Sequence, residues 1–175
     1  MKRILCVITI GTTLIFCSGW KVFAESANSW FNEGFALQQK GNLTGAIKLY
    51  SRAIESNPTF AMAYQMRAVV QQKLKKYPQA INDYSMVILY GKKDLMAVGY
   101  YNRGIVKNMT GDFATAITDF SQAIEIDKKM AAAFFHRGIS KSKTDDFIGK
   151  LEDFRQASRL GDLNAEKWLN TYYPE

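Results

Sequence analysis

A periodicity of 34 residues constrains this chain more than any other feature. Trp30, Tyr64, Tyr100, Phe134 and Trp168 follow one another at spacings of 34, 36, 34 and 34. The small residues Gly34, Ala68, Gly104 and Gly138 repeat at 34, 36 and 34. So do Tyr50, Tyr84, Phe120 and Phe154, and again Ala53, Val87, Ala123 and Ala157. All four columns share one two-residue insertion near residues 91–96. A repeat of this length is one supersecondary unit that cannot bury its apolar face alone, so the copies must stack.

Each unit reads as two helices. Between Trp30 and Pro58, apolar residues recur at helical spacing in two blocks split by Gly41-Asn42. The later units break at Lys75-Lys76, Gly111-Asp112 and Asp145-Asp146. Pro78 falls just inside a second helix, where its missing N–H costs nothing. Pro58 cannot continue a helix and closes the first unit. The expected helices are about 27–40 and 43–56, 61–74 and 77–90, 97–110 and 113–126, 131–143 and 147–160, with a last one at about 163–173. Gly34, Ala68, Gly104 and Gly138 on first helices, and Ala46, Ala80 and Ala116 on second helices, permit close approach within each pair. Lys150 replaces the small residue in the fourth unit, which predicts looser packing there.

The run SWFNEGFALQQKGNLTGAIKLYSRAIESNP, Ser29 to Pro58, resembles a tetratricopeptide repeat (TPR) along its whole length. Gly99 to Asp127 is a second close match. The resemblance covers residues 27 to 173 as four repeats, about 27–60, 61–96, 97–130 and 131–164, and a capping helix at about 163–173. It implies an all-α fold, a right-handed solenoid of antiparallel helix pairs.

Arg67, Arg103 and Arg137 are matched in register by Asp83, Asp119 and Asp153, while the first unit has Glu33 and Leu49 instead. Charges that appear and vanish together predict an Arg–Asp ladder. As exposed pairs they would contribute about 0–1 kcal/mol each.

The first residues have another character. Lys2 and Arg3 precede an uncharged apolar run from Ile4 to Phe16, and Val22-Phe23-Ala24 fits a signal peptidase site. A Sec signal peptide over 1–24 is therefore expected, cleaved between Ala24 and Glu25 or kept as an anchor, with the repeat domain at 25–175. The apolar run is short of the roughly 20 residues a spanning helix needs. Phe16 before Cys17 is too bulky for a lipobox. Cys6 and Cys17 are the only cysteines, so the cleaved chain would hold no thiol. Loss of Lys2, Arg3 and Lys21 would lower the net charge from +7 to +4, too little for nucleic-acid binding. Secretion or an envelope (periplasmic) location follows.

Catalytic chemistry is not expected. His136 is the sole histidine, and no phosphate-cradling glycine loop, Gly-x-Ser-x-Gly or His-Glu-x-x-His is present. No catalytic residue, cofactor or metal ligand is assigned. Gly41, Gly111 and Gly161 end helices.

The resemblance implies a partner groove on the inner, first-helix face. Projected onto this chain it comprises Phe31, Phe35, Gln38, Met62, Gln65, Val69, Gln72, Lys73, Tyr101, Ile105, Asn108, Phe135, Ile139 and Lys143. Val98, Met109, Ser142, Leu169 and Tyr173 extend it. TPR domains that clamp acidic chaperone C-termini use lysine, asparagine and arginine at positions that here hold Phe31, Phe35, Met66, Val98 and Asn102, so that clamp is absent. An apolar groove with amide rims suits a peptide or amphipathic helix of another protein, although core packing of these side chains stays open. The leading expectation is a non-catalytic scaffold or adaptor in the bacterial envelope or secretory space. Self-association, an accessory-subunit role and cell-wall polymer binding remain alternatives.

Overall fold

The computed structural model describes residues 15–174, with side-chain environments from Ala27 onward. The expected leader up to Leu14, including Cys6, lies outside the described residues. The described chain forms nine helices and no strand: α1 (Ile15–Gln39), α2 (Leu43–Ser56), α3 (Ala61–Lys73), α4 (Tyr77–Tyr90), α5 (Lys93–Met109), α6 (Phe113–Ile126), α7 (Ala131–Ser142), α8 (Phe147–Arg159) and α9 (Leu163–Tyr172). It is an all-α solenoid of helix pairs.

Two helices begin earlier than the periodicity predicts. α1 runs from Ile15, well before 27, and passes through the Ala24–Glu25 bond without a break. α5 starts at Lys93 rather than 97 because the two-residue insertion becomes helix and the connection shortens as well, to 91–92 where the other units have 57–60 and 127–130. Leu95, in that added turn, packs against the cluster of Tyr84, Val87 and Val106. Among the described residues, no helix is long and apolar enough to cross a membrane.

Turn chemistry sets the register. Asn42, Asp112, Asp146 and Asp162 cap the following helices by accepting backbone N–H bonds from Gly45, Thr115, Gly149 and Ala165. Gly41, Gly111 and Gly161 end helices at φ of 80°, 83° and 91°, where a Cβ would be strained. Lys75 and Asp145 take the same left-handed conformation without that freedom, at φ of 59° and 61°.

Within each pair the small column does what it was expected to do. A Cβ built on Gly104 would stand 2.8 Å from the Phe120 ring, and one on Gly138 would stand 2.7 Å from Phe154. Tyr50, Tyr84, Phe120, Ala53, Val87, Ala123 and Ala157 are fully buried between the helices. Each helix packs on its neighbour in sequence, and α1, α3, α5 and α7 also meet one another in turn. First helices therefore form the inner layer of a curved stack, with second helices outside.

The Arg–Asp ladder exists, but it is not a set of exposed pairs. Arg67 grips Asp83 with Nε and Nη2, both at 2.7 Å, and Arg103 and Arg137 hold Asp119 and Asp153 in the same fork at 2.7–2.9 Å. The aspartate side chains are only 3–5% exposed, so the correction is to a partly buried network. Nη1 of each arginine reaches back to the preceding unit, donating to Ser51, Ser85 and Ser121 at 2.8–3.0 Å. Those hydroxyls in turn donate to the carbonyls of Ile47, Ile81 and Ile117. Each arginine also lies over the aromatic three residues before it, Tyr64, Tyr100 or Phe134, at 5.5–5.6 Å. In the first unit, where Glu33 stands in the arginine column, Arg52 of α2 covers Trp30 instead. Removing one member of a buried pair typically costs about 3–5 kcal/mol, since the other is left uncompensated.

Lys150 does not leave a simple gap. Its ammonium sits 4.6 Å from the centre of the Trp168 ring and 5.5 Å from that of Phe147, joining α8 to α9 by a cation–π contact.

Candidate partner-binding groove

The inner layer positions the expected groove residues, but they divide into four groups. Phe35 (43% exposed), Met62, Met109 (51%), Lys73, Lys143 and Tyr173 face outward. Gln38, Val69, Gln72, Val98, Tyr101, Ile105, Asn108, Ser142 and Leu169 are half-buried. Phe31, Phe135 and Ile139 serve mainly as packing: Phe31 lies against Tyr50 and Phe60, Phe135 stacks on Phe154, and Ile139 joins the Phe154 cluster. Gln65 is corrected outright. It is 6% exposed, and its Oε1 has no hydrogen-bond partner, so it belongs to the interior rather than to the groove. The helical period places Gln65 in one column with Phe31, Tyr101 and Phe135, whose rings pack on Tyr50, Phe120 and Phe154 of their own second helices.

The amide rim is built from within. Tyr50 donates its hydroxyl proton to Gln38 Oε1 at 2.7 Å, and Tyr84 donates to Gln72 Oε1 at 3.0 Å. Burial pushes the Tyr50 phenol up to about 12 and raises Tyr84 as well, so both remain donors. The third unit has Phe120 instead, and there Asn108 accepts from Ser140 at 2.7 Å. Two of these amides are thus oriented by tyrosines of the second helices beneath them, and the third by Ser140 of the next first helix.

Two clefts open along this rim. The larger, about 490 Å³, is bounded by Val69, Gln72 and Lys73 of α3, Lys75 and Tyr77 at the turn into α4, and Asn102 and Met109 of α5, with Tyr84 beneath. A smaller one of about 290 Å³ lies between α1 and α3 and shares Val69 and Lys73. Val69, Gln72, Lys73 and Met109 of the expected set come together here. Lys75 and Tyr77 were not anticipated, since a projection of first-helix faces leaves out the turns between helices. Further along, Tyr101, Phe120 and Phe135 surround the ring of His136 at centroid distances of 5.5–6.0 Å. Burial lowers the imidazole below its usual range, against the opposing charge of Asp162.

Comparison with known proteins agrees with this architecture. Models of the tetratricopeptide repeat family match residues 27–60, 49–82 and 97–130. A FAM10 family protein of Arabidopsis thaliana is 39% identical over 88 residues, 50% of this chain and 20% of that protein. Human serine/threonine-protein phosphatase 5 is 31% identical over 103 residues, 59% of this chain and 20% of its own. Hsc70-interacting protein 1 of Drosophila melanogaster is 40% identical over 82 residues, 47% of this chain and 21% of its own. The chain spans about a fifth of the length of these relatives. Among solved structures, a crystal structure of MamA superposes with a TM-score of 0.76 at 18% identity, covering 85% of this chain and 81% of that one. PilF of Pseudomonas aeruginosa superposes at 0.68 with 20% identity, covering 79% and 63%. These likenesses concern the fold. Periodicity, turn caps, close-approach columns and matched family models together place the chain in the tetratricopeptide repeat family.

Proposed function

We propose that this chain is a non-catalytic scaffold that holds a peptide or amphipathic helix of another protein against its first-helix face. The observation that carries the reading is the exposure of apolar side chains on three successive first helices, Phe35, Met62 and Met109, together with two clefts that include Gln38 and Gln72, the larger also lined by Met109. Large apolar side chains at an open concave surface favour association, and methionine adapts to varied partner shapes. The name of the Drosophila relative, Hsc70-interacting protein, speaks of a protein partner and supports the same class of function. We also place the chain in the envelope or secretory space, on the strength of the leader pattern in residues 1–24. An exported fraction whose N-terminus begins at Glu25 is the expected result, and a full-length chain confined to the cytosol would remove that part of the reading.

The groove is tested by affinity capture from the host's envelope extract, comparing the native chain with a Phe35→Glu, Met62→Glu, Met109→Glu variant. All three positions are exposed, and an unchanged helical circular dichroism spectrum and melting curve checks that the variant keeps its fold. A partner retained by the native chain and lost by the variant is expected. Identical retention by both rules the groove out.

A second reading rests on Phe147, Ile148, Leu163, Tyr172 and Tyr173, which are 52–77% exposed on α8 and α9 and would suit self-association through that end. Light scattering separates the two, since self-association makes the mass rise with concentration.

A further inference from the structure

Three lysines cluster at one turn beside the larger cleft. The end of α3 and the turn that follows it carry Lys73, Lys75 and Lys76, all exposed and none ion-paired among the described residues. By contrast, Lys107 and Lys141 on the next two first helices are tied to the buried carboxylates of Asp119 and Asp153, at 2.8 and 3.0 Å. Lys73 and Lys75 border the 490 Å³ cleft, whose lining also includes Val69, Tyr77 and Met109 but no carboxylate. Lys75 occupies the left-handed turn position that Gly41 and Gly111 fill in the first and third units. A lysine there is held at a conformational cost that glycine would not incur.

We propose that this cleft recognises an acidic segment of a partner protein. An apolar side chain of the partner sits on Val69, Tyr77 and Met109, and flanking aspartate or glutamate residues face Lys73, Lys75 and Lys76. The proposal rests on the groove reading above and specifies what the partner presents. Complementary charge of this kind sets partner choice and association rate more than raw affinity, and salt screens it. The apolar wall favours a peptide over a nucleic acid, whose phosphates would leave Val69 and Met109 uncovered.

Fluorescence anisotropy on the full chain tests this with two labelled amphipathic peptides that share one leucine face and differ only in flanking glutamates or lysines. The glutamate peptide is expected to bind about tenfold more tightly, with the difference shrinking in high salt. Lys75→Gly is the decisive variant. It should raise the melting temperature by relieving the backbone, yet weaken the glutamate peptide several-fold, which a purely structural lysine would not do. Lys73→Glu with Lys76→Glu should reverse the preference. Equal binding of both peptides, abolished by the Phe35, Met62, Met109 variant, overturns the acidic specificity and leaves the groove reading standing. Binding of neither peptide overturns the inference at this cleft, while the capture experiment decides the groove by itself. Equal competition by a single-stranded oligonucleotide also overturns it, by making the cleft a general polyanion site.

Discussion

Gln71 stands in the register position that Lys107 and Lys141 hold in the next two units. Asp83 consequently has one cation where Asp119 and Asp153 have two, and Gln71 Oε1 is buried without a partner. Gln71→Lys should therefore stabilise the protein by about 1 kcal/mol, read as a higher urea midpoint at unchanged slope. A midpoint that stays put would show that Asp83 gains nothing from a second cation. His136 gives a pH-dependent counterpart. Its folded imidazole binds a proton less readily than the usual value of 6.5, so the unfolded chain takes up the proton first as pH falls. Stability from this site is complete above 6.5 and declines as pH drops below it. Thermal melts on either side of 6.5 should show that decline, and His136→Phe should flatten it. At this scale the sequence was partly transparent. Arginine and aspartate announced their pairing because the two charges are lost together in the first unit. Ser51, Ser85 and Ser121 keep the same spacing but were not singled out, since each one's arginine belongs to the following unit.

Whole helices were legible wherever a turn residue marked their ends. Second helices α2, α4 and α6 have the expected limits because Asn42, Pro78, Asp112 and the residues closing each unit punctuate the chain. For α5 the periodicity predicts too short a helix. Periodicity locates an insertion but does not say what it becomes, and Lys93-Asp94-Leu95-Met96 extends the helix with Asp94 in the first turn. If that added turn is anchored by its apolar contact, Leu95→Ala should cost about 1–2 kcal/mol, less than a fully buried leucine because the site is half-exposed. Chemical denaturation that finds no change would mean the turn is merely tolerated. Lys150 taught the opposite lesson. A charge in a small-residue column suggested loose packing, yet its long stem lets the ammonium reach the Trp168 face.

At the scale of the molecule, stability in a stacked array is approximately a sum over units and their nearest-neighbour junctions. Three junctions carry the serine–arginine contact, at Ser51–Arg67, Ser85–Arg103 and Ser121–Arg137. The fourth has no such contact among the described residues: Arg155 replaces the serine and Thr171 the arginine, and Thr171 bonds to its own helix at Lys167. Backbone amides of α9 should accordingly exchange with solvent at least about tenfold faster than those of α3 to α6. Uniform protection across the array would show that aromatic packing at Trp168 replaces the missing contact. The groove was the least legible part, because a helical face turned inward in a solenoid meets both the open surface and the next first helix. In the column Phe31, Gln65, Tyr101 and Phe135 the aromatic rings pack on their second helices and Gln65 is buried, while Phe35, Met62 and Met109 stay open. The arginine that joins three helices at a single point also has a mechanical meaning. It denies adjacent units a free pivot, so the curvature of the first four behaves like a stiff leaf spring with a pliant tip. A guest too long for the stiff section would be accommodated by flexing the tip, and the shape of the remaining surface would not change.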